Sequence, residues 1–165
     1  MHWLVDGYNV IRRDPALAER EREGLEAGRQ ALCRLLSSAA RGSGDRFTVV
    51  FDGSREGGSF AGGPGVHAIF SSARETADHV LARMATAGAA VVSNDREVRR
   101  AAARGRAIAI TADEFLSRLE RAGRVRGSDK NDDDEAGRPQ PKKGNPRRLS
   151  KKDRRAARAL GRLAR

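Results

Sequence analysis

The sequence predicts an α/β fold in which helices cover both faces of a mainly parallel sheet. Short runs of apolar, strand-forming residues alternate with longer segments of helical periodicity over residues 1–123. The runs are largely apolar, as in strands that are buried on both faces of a parallel sheet. An aspartate follows three of them, at Asp6, Asp52 and Asp95. The element order β-α-β-β-α-β-α-β-α therefore predicts crossover connections on both sides of one sheet.

The predicted strands cover residues 3–5, 47–51, 66–70, 89–92 and 107–110, and the predicted helices cover residues 15–40, 73–87, 96–104 and 112–122. Asp14 followed by Pro15 is a start signal for the first helix. Ser72 and Glu75 have the spacing of a capping box for the second helix. Residues 54–65 are rich in glycine and lack periodicity, which predicts a mobile loop and a candidate substrate flap. The loop lacks the Gly-Lys-Ser/Thr ending of a P-loop, which argues against an ATP site.

The positive charge is concentrated towards the C-terminus. The chain of 165 residues has a net charge of +11. Residues 1–123 contain 18 Arg and no Lys against 16 acidic residues, whereas residues 124–165 contain 15 basic and 6 acidic residues. A nearly neutral body with a basic tail indicates an anionic partner, most commonly nucleic acid. A disordered tail that only solubilises the protein is the alternative interpretation.

The composition divides the chain into a body at residues 1–123, a flexible charged linker at 124–147 and a basic helical tail at 148–165. The linker combines an acidic run with a segment rich in Pro, Lys and Gly. The tail regains helix-forming residues, with its leucines loosely on one side. An isolated helix of this length is marginal in water, so we expect the tail to fold when it lies on phosphates.

The sequence also predicts a soluble, cytoplasmic protein. Cys33 is the single cysteine, which leaves no disulfide framework and no cysteine-based zinc site, and its helical context predicts core packing. No apolar run approaches the roughly 20 residues that a membrane helix needs, and the first residues read as a strand rather than a signal. A membrane is not an expected partner, and the oligomeric state stays open.

Several carboxylates are predicted to meet at one edge of the sheet. Asp6, Asp52 and Asp95 follow strands, and the carboxyl ends of parallel strands share the edge where ligands bind. Asp78 can reach this edge from a helix start, together with Glu75 on the same helical face. Each acid alone could be a turn or cap residue, but their repetition favours a common site. Unpaired carboxylates that converge repel one another, so we expect a cation among them.

The expected cation is Mg²⁺ or Mn²⁺, because carboxylate oxygens suit a hard metal and the three histidines are scattered. Such a metal can activate a bound water and stabilise a leaving oxygen, which is the chemistry of phosphodiester hydrolysis. Arginines near the predicted edge can orient backbone phosphates. The candidates are Arg12, Arg13, Arg55, Arg74 and Arg96.

Further nucleic-acid contacts are predicted at two aromatic residues and along the tail. Most aromatic residues lie in strands and are expected in the core, which leaves Tyr8 and Phe60 as candidate base contacts. Tail binding should tolerate any sequence and weaken steeply with salt. The candidate phosphate contacts there are Lys142, Lys143, Arg147, Arg148, Lys151 and Lys152.

Four blocks of the sequence resemble the YacP-like NYN domains, a branch of the PIN-like nucleases. The blocks are DGYNVI at residues 6–11, VFDG at 50–53, FS with ETAD at 70–78, and VSNDREV at 92–98. They stand in the family's order, and the resemblance covers residues 1 to about 120. The glycine-rich loop and the basic tail depart from the family pattern as we recognise it.

The resemblance implies a PIN-like three-layer α/β/α sandwich that acts as a metal-dependent endoribonuclease. It implies that Asp6, Asp78 and Asp95 bind the metal, that Asn9 steadies the site and that Asp52 is a further acid at its rim. The preference for RNA over DNA also rests on the resemblance. Some members resemble ribosome-associated endonucleases that cut messenger RNA during translation, so this substrate is open to the present chain.

Two functions stay open at this point. One is an enzyme that hydrolyses RNA, and the other is a non-catalytic RNA- or ribosome-binding protein on the same scaffold. The four aspartates together favour the enzyme, because a scaffold without catalysis has no need of a repulsive cluster. A phosphatase of the haloacid dehalogenase type also begins with an aspartate at the first strand tip. It needs a second aspartate two residues later, where this chain has Tyr8.

Overall fold

A computed structural model describes residues 1–53, 58–128 and 150–163. The elements, numbered in chain order, are β1 (His2–Asp6), α1 (Gly7–Ile11), α2 (Pro15–Glu23), α3 (Leu25–Ser43), β2 (Arg46–Phe51), β3 (Gly58–Gly63), β4 (Val66–Phe70), α4 (Ala77–Met84), β5 (Ala89–Val92), α5 (Arg96–Arg104), β6 (Ile108–Ile110), α6 (Ala112–Ser128) and α7 (Lys151–Arg162). The mixed α/β architecture predicted from the sequence is confirmed.

The described strands form one six-stranded sheet in the order β3-β4-β2-β1-β5-β6. All neighbours pair in parallel except β3, which runs antiparallel to β4 at one edge. The central strand β1 lies between β2 and β5, with Asp6 opposite Val50 and Val5 opposite Val92. The carboxyl ends of β1, β2 and β5 therefore lie side by side.

Helices cover both faces of the sheet. Side chains alternate across β1, so that Trp3 and Val5 enter one core while Leu4 enters the other. The first core packs the sheet against α3 and α6, and it includes the stacked rings of Trp3 and Phe47. The second core packs the opposite face against α4 and α5. The result is a three-layer α/β/α sandwich.

The single helix predicted for residues 15–40 was wrong, because two helices meet at Gly24. The break allows α2 to fold back on α3. Their close approach needs Gly28, where a Cβ atom would lie 3.0 Å from the Cα atom of Glu21. The sequence analysis also missed the short α1, which begins directly after Asp6.

The prediction of a loop for residues 54–65 was wrong for its second part, because β3 forms an edge strand there. Gly62 packs so closely on α3 that a Cβ atom would lie 2.9 Å from the Cys33 sulfur. Glycine at position 62 thus permits the close packing of β3 on α3. Residues 54–57 lie outside the described residues.

The helix predicted at residues 73–87 begins later, at Ala77, with Thr76 rather than Ser72 as its N-cap. Ser72 and Glu75 pair in a turn that precedes the helix, so they do not form the expected capping box. The last helix of the predicted body extends beyond residue 122, since α6 continues to Ser128.

The tail helix α7 packs on the body instead of standing alone. Leu163 and Ala159 are buried in the first core, and Arg118 of α6 donates a hydrogen bond from Nε to the Leu160 carbonyl at 2.9 Å. The sequence analysis expected phosphates to support this helix, whereas in the structure it is supported by packing on the body. The predicted linker lies largely outside the described residues, and the division of the chain at residues 123 and 147 stays a prediction.

This helix crosses the amino ends of the parallel strands. Arg162 lies 3.7 Å from the carboxylate of Asp45, directly before β2, and Arg155 contacts the carbonyl of Arg106, shortly before β6. A cavity of about 780 Å³ between α7 and the sheet is also lined by Met1 and Gly88. The basic helix is thus at the opposite end of the sheet from Asp6, Asp52 and Asp95.

Among the helices of the described residues, none combines the length and the apolar character needed to cross a membrane.

Candidate active site

A cavity of about 630 Å³ opens at the carboxyl ends of the parallel strands. Four aspartates from separate parts of the chain line it, namely Asp6, Asp52, Asp78 and Asp95. Asn9 lies on the same wall. The sheet topology therefore brings together the five residues that the sequence analysis singled out as catalytic.

Asp6 ends β1 and caps α1. Its Oδ1 accepts a hydrogen bond from the Asn9 amide at 3.3 Å, and its Oδ2 accepts one from the Ser93 hydroxyl at 2.8 Å. Burial raises the pKa of Asp6, and the negative charges of Asp78 and Asp52 raise it further, against the lowering effect of these hydrogen bonds. Asp6 is thus close enough to two other carboxylates of the cavity for their charges to affect its pKa.

Ser93 joins two of the acids. Its fully buried hydroxyl donates to Asp6 and accepts a hydrogen bond from the Asp95 amide at 3.0 Å. Asp95 in turn caps α5 through its Oδ1, which accepts from the amides of Glu97 and Val98. One hydroxyl therefore sets the position of Asp95 relative to Asp6.

Asn9 and Asn94 form a second link across the strand ends. The Asn9 side-chain carbonyl accepts a hydrogen bond from the Asn94 amide at 2.9 Å. Asn94 accepts from the Ala112 amide at 2.9 Å and donates to Asp113 at 2.7 Å, which ties the site to the start of α6. Asn9, in α1, thus lies close to Asp6 and holds the loop that carries Asp95.

Asp52 positions the helix that carries Asp78. Its Oδ1 accepts hydrogen bonds from the Ser71 hydroxyl at 2.7 Å and from the Ala77 amide at 3.0 Å. Ala77 is the first residue of α4 and Asp78 is the second. Asp52 therefore both lines the cavity and fixes the approach of Asp78 to it.

Asp78 is the most loosely held acid of the four. Within the described residues, no hydrogen-bond donor contacts its carboxylate. Although Asp78 is exposed, partial desolvation raises the pKa of its carboxyl, and the charges of Asp95 and Asp52 raise it further. An acid whose charge is opposed by its neighbours is the group that a cation would relieve most.

The fit of a metal ion follows from the donor set. All four side chains offer carboxylate oxygens, which are ligands for hard cations such as Mg²⁺. In the described part of the chain, no three acidic, His or Cys residues lie close enough together to hold one ion by themselves. Mg²⁺ is commonly held by one or two carboxylates, its remaining ligands being waters and substrate phosphate. The residues fit that open kind of coordination rather than a closed protein cage.

The cavity is also lined by basic and aromatic side chains. Arg12, Arg13, Arg29 and Tyr8 line it. Arg12 and Arg29 both lie over the Tyr8 ring, with their guanidinium carbons at 5.4 Å and 5.6 Å from its centroid. The cavity therefore presents both carboxylates and guanidinium groups.

Other predicted site residues are not brought to the cavity. Glu75 is held in a bidentate pair by Arg83 at 3.0 Å and 3.2 Å, and neither Arg74 nor Arg96 is among the described residues that line the cavity. Phe60 stacks on Phe70, with 5.7 Å between the ring centroids.

The predicted contacts of the tail are remote from this site or outside the described residues. Lys151 and Lys152 lie in α7, at the other end of the sheet. The other predicted contacts lie outside the described residues, namely Arg55, Lys142, Lys143, Arg147 and Arg148.

The sequence analysis assigned no role to Ser93, Asn94, Ser71 or Arg29. Ser93 and Asn94 stand between a predicted strand and Asp95, so their position was a usable signal. Arg29 lies in the charged first half of a predicted helix, and no local signal connects it with the distant rings of Phe51 and Phe70.

The three-layer sandwich, with an acidic cavity at the carboxyl ends of its strands, has the architecture of the PIN-like nuclease fold. The chain belongs to the family of YacP-like NYN domains, whose profile matches residues 3–160. The match extends into α7 as far as residue 160, so the family similarity extends beyond the limit near residue 120 set in the sequence analysis. The family is consistent with a ribonuclease.

Two crystal structures of Rae1 (YacP) from Bacillus subtilis are similar to this chain. One, of a tryptophan-to-leucine mutant, has 27% sequence identity and a TM-score of 0.64, and the alignment covers 81% of this chain and 86% of that chain. The other has 26% identity and a TM-score of 0.60, with 78% and 79% covered. No curated protein matches the sequence.

Proposed function

We propose that the protein is an endoribonuclease that hydrolyses RNA phosphodiester bonds with Mg²⁺ or Mn²⁺ held at the acidic cavity. One observation carries the proposal: four aspartates from separate elements line one cavity, where the charge of Asp52 raises the pKa of both Asp6 and Asp78. Such repulsion costs folding stability, and a bound cation offsets it.

Each side chain has a distinct part in this proposal. Asp6, Asp78 and Asp95 would hold the cation, one or two of them directly and the rest through its bound waters. Asp52 holds the start of α4, and Asn9 holds the loop after β5. The bound cation supplies an acidified water and charge stabilisation at a phosphoryl oxygen. Glu75 is left out of the proposed ligand set, because Arg83 already pairs with both of its oxygens.

We propose messenger RNA on the ribosome, in the cytoplasm, as the substrate to test first. The support is the exposed basic face of α7, which includes Lys151, Lys152 and Arg154 at the amino ends of the strands. A short strand bound in the cavity does not reach that face. A second basic surface at the far end suits a large folded RNA that contacts both.

The experiment uses a circular RNA, because only an endonuclease can open it. The purified protein is incubated with this RNA in Mn²⁺ or Mg²⁺, beside an EDTA sample and the Asp78→Asn variant. We expect linear product with the metal, and none in the two controls. A parallel sample contains translating ribosomes with a labelled messenger.

Absence of cleavage from both substrates, with RNA binding retained, would contradict the proposal. That result would favour the non-catalytic RNA- or ribosome-binding function. Cleavage that survives EDTA would instead show that the carboxylates do not act through a metal.

A further inference from the structure

Arg29 is a largely buried cation in the wall of the acidic cavity. Its side chain is 15% exposed. The guanidinium carbon lies 4.8 Å from the ring centroid of Phe70, 5.6 Å from that of Tyr8 and 5.7 Å from that of Phe51. Three aromatic rings thus hold a charged group at the surface of a cavity that four aspartates also line.

The hydrogen bonds of Arg29 are unusual for a cation with this burial. Its Nε donates to the Tyr8 hydroxyl at 2.9 Å, and its Nη2 donates to the same oxygen. Its Nη1 lies 3.6 Å from Glu26, beyond hydrogen-bond distance, and the Glu26 side chain is 61% exposed. Among the described residues, none of the four cavity aspartates forms an ion pair with Arg29. The neutral phenol of Tyr8 accepts both of these hydrogen bonds and orients the guanidinium, while Glu26 forms only a longer ion pair with it at 3.6 Å.

We propose that Arg29, oriented by Tyr8, binds a phosphate of the RNA strand that neighbours the phosphate at the aspartates. This inference rests on the proposed function and extends its site by one subsite. The carboxylate wall repels the RNA backbone, so a strand that enters the cavity needs a fixed positive charge close by. A planar guanidinium with its aromatic stacking already formed meets a phosphate with little further loss of freedom.

The same contacts favour a phosphate over a base as the ligand. Aromatic rings already pack around the guanidinium, so a base would have to displace one of them to stack. The Nη1 edge, by contrast, has no hydrogen bond within the described residues and can donate to phosphate oxygens. Arg12 is 67% exposed and also lies over the Tyr8 ring, so it can add positive charge close to the subsite.

The test measures binding apart from cleavage. Fluorescence anisotropy follows a labelled single-stranded RNA on the full chain in the Asp78→Asn background, with Arg29→Gln added. Arg34→Gln is the matched control, because Arg34 is an exposed arginine of the same helix and does not line the cavity. We expect Arg29→Gln to weaken binding about tenfold or more, and Arg34→Gln to change it less than about twofold.

A methylphosphonate scan then identifies the contact. Each phosphate of the RNA is replaced in turn by its uncharged methylphosphonate. One position should weaken binding strongly when Arg29 is present and have no extra effect in Arg29→Gln. The salt dependence of binding should also fall by about 0.7 in logarithmic slope, as for one phosphate contact on a single strand. If the losses from the variant and from every methylphosphonate simply multiply, the subsite is refuted.

A second variant keeps the test decisive if Arg29→Gln does not fold. Tyr8→Phe keeps the aromatic ring and the positive charge of Arg29, and it removes only the hydroxyl oxygen that orients the guanidinium. It should weaken binding about threefold or more and reduce the same methylphosphonate effect. Unchanged affinity in folded Tyr8→Phe, or equal losses in Arg29→Gln and Arg34→Gln, would overturn the proposal. Because these experiments measure binding and not cleavage, they test the phosphate subsite even if the protein proves not to cleave RNA.

Discussion

The two ends of the sheet use aspartate in opposite ways. At the amino end, the carboxylate of Asp45 is fully buried and its charge is balanced by its partners. It accepts hydrogen bonds from the Met1 ammonium group and from Trp3 Nε1, the latter at 2.9 Å. At the carboxyl end, Asp78 is exposed and faces other carboxylates. The neighbours of a carboxylate, rather than its residue type, thus separate a structural acid from a functional one. Three substitutions, with four expected effects, can break or sharpen this comparison.

The largest expected effect is on cleavage. Asp78→Asn should reduce the rate of RNA hydrolysis about a thousandfold, which corresponds to about 4 kcal/mol of activation free energy, because it removes a charge that holds the cation. The measurement is the single-turnover rate at saturating Mn²⁺. Glu120→Gln is the control, as an exposed acid of α6 outside the cavity. Equal rates in the two variants would contradict the assignment of Asp78.

Asp45→Asn should show the reverse pattern, with a loss of stability and little change in the rate of the folded protein. Removal of the buried carboxylate leaves its cationic and indole partners without a counterpart, at a cost of about 3 kcal/mol. For a chain of this size the melting temperature should fall by about 10 °C. Thermal unfolding and the cleavage rate are measured on the same sample. A catalytic loss without a fall in stability would remove the distinction between the two ends.

Ser93→Ala should affect both properties, because the buried hydroxyl links Asp6 and Asp95. We expect a loss of about 1–2 kcal/mol in the free energy of unfolding, and a fall in the cleavage rate of about tenfold. Ser37→Ala is the matched control, since Ser37 is also buried but contacts Gly62 on the other side of α3. The control should lose stability without losing activity, and a similar fall in both rates would argue against the positioning role of Ser93.

The smallest expected effect is a gain in stability. Asp78→Asn relieves carboxylate repulsion, so its melting temperature should exceed that of the natural sequence by roughly 2 °C at neutral pH. The raised pKa of Asp78 means that the folded natural protein binds this proton more tightly than the unfolded chain does. Its stability therefore falls as the pH rises from the ordinary value of 3.8 through the raised one.

The advantage of the Asn variant should accordingly be present above the raised pKa and vanish at lower pH. Calorimetry at a series of pH values checks this. Saturating Mg²⁺ should also stabilise the natural protein more than the variant, by mass action. A variant less stable than the natural protein at neutral pH would mean that Asp78 is not repelled by its neighbours.

The acids at the carboxyl end were accessible to sequence reasoning for a physical reason. Buried parallel strands appear as apolar runs, and the residues that follow them must emerge at one edge of the sheet. Asp6, Asp52 and Asp95 could be grouped on that basis without knowledge of the contacts between them. The start of α5 was also predictable, because Asp95 combines a cap residue with the end of a strand.

The contacts that cross long sequence separations were not predictable in this way. The position of α7 on the body depends on the packing of Leu163 in the core. The position of Arg29 depends on its contacts with the rings of Phe51 and Phe70, which come from two different strands. Glu75 had the spacing of a capping residue, yet tertiary packing gave the cap to Thr76 and paired Glu75 with Arg83. Local patterns identify the ends of elements, whereas partners from distant elements are decided by packing.

The most direct test of the central claim locates the cation. Mn²⁺ is titrated into isotopically labelled protein, and the paramagnetic broadening of backbone amide signals is recorded by NMR. We predict early broadening at Gly7, Asp78 and Asp95, with the signals of α7 and Asp45 unaffected, and loss of this pattern in Asp78→Asn. Broadening that is spread evenly over exposed acids, or centred at the amino ends of the strands, would contradict the account.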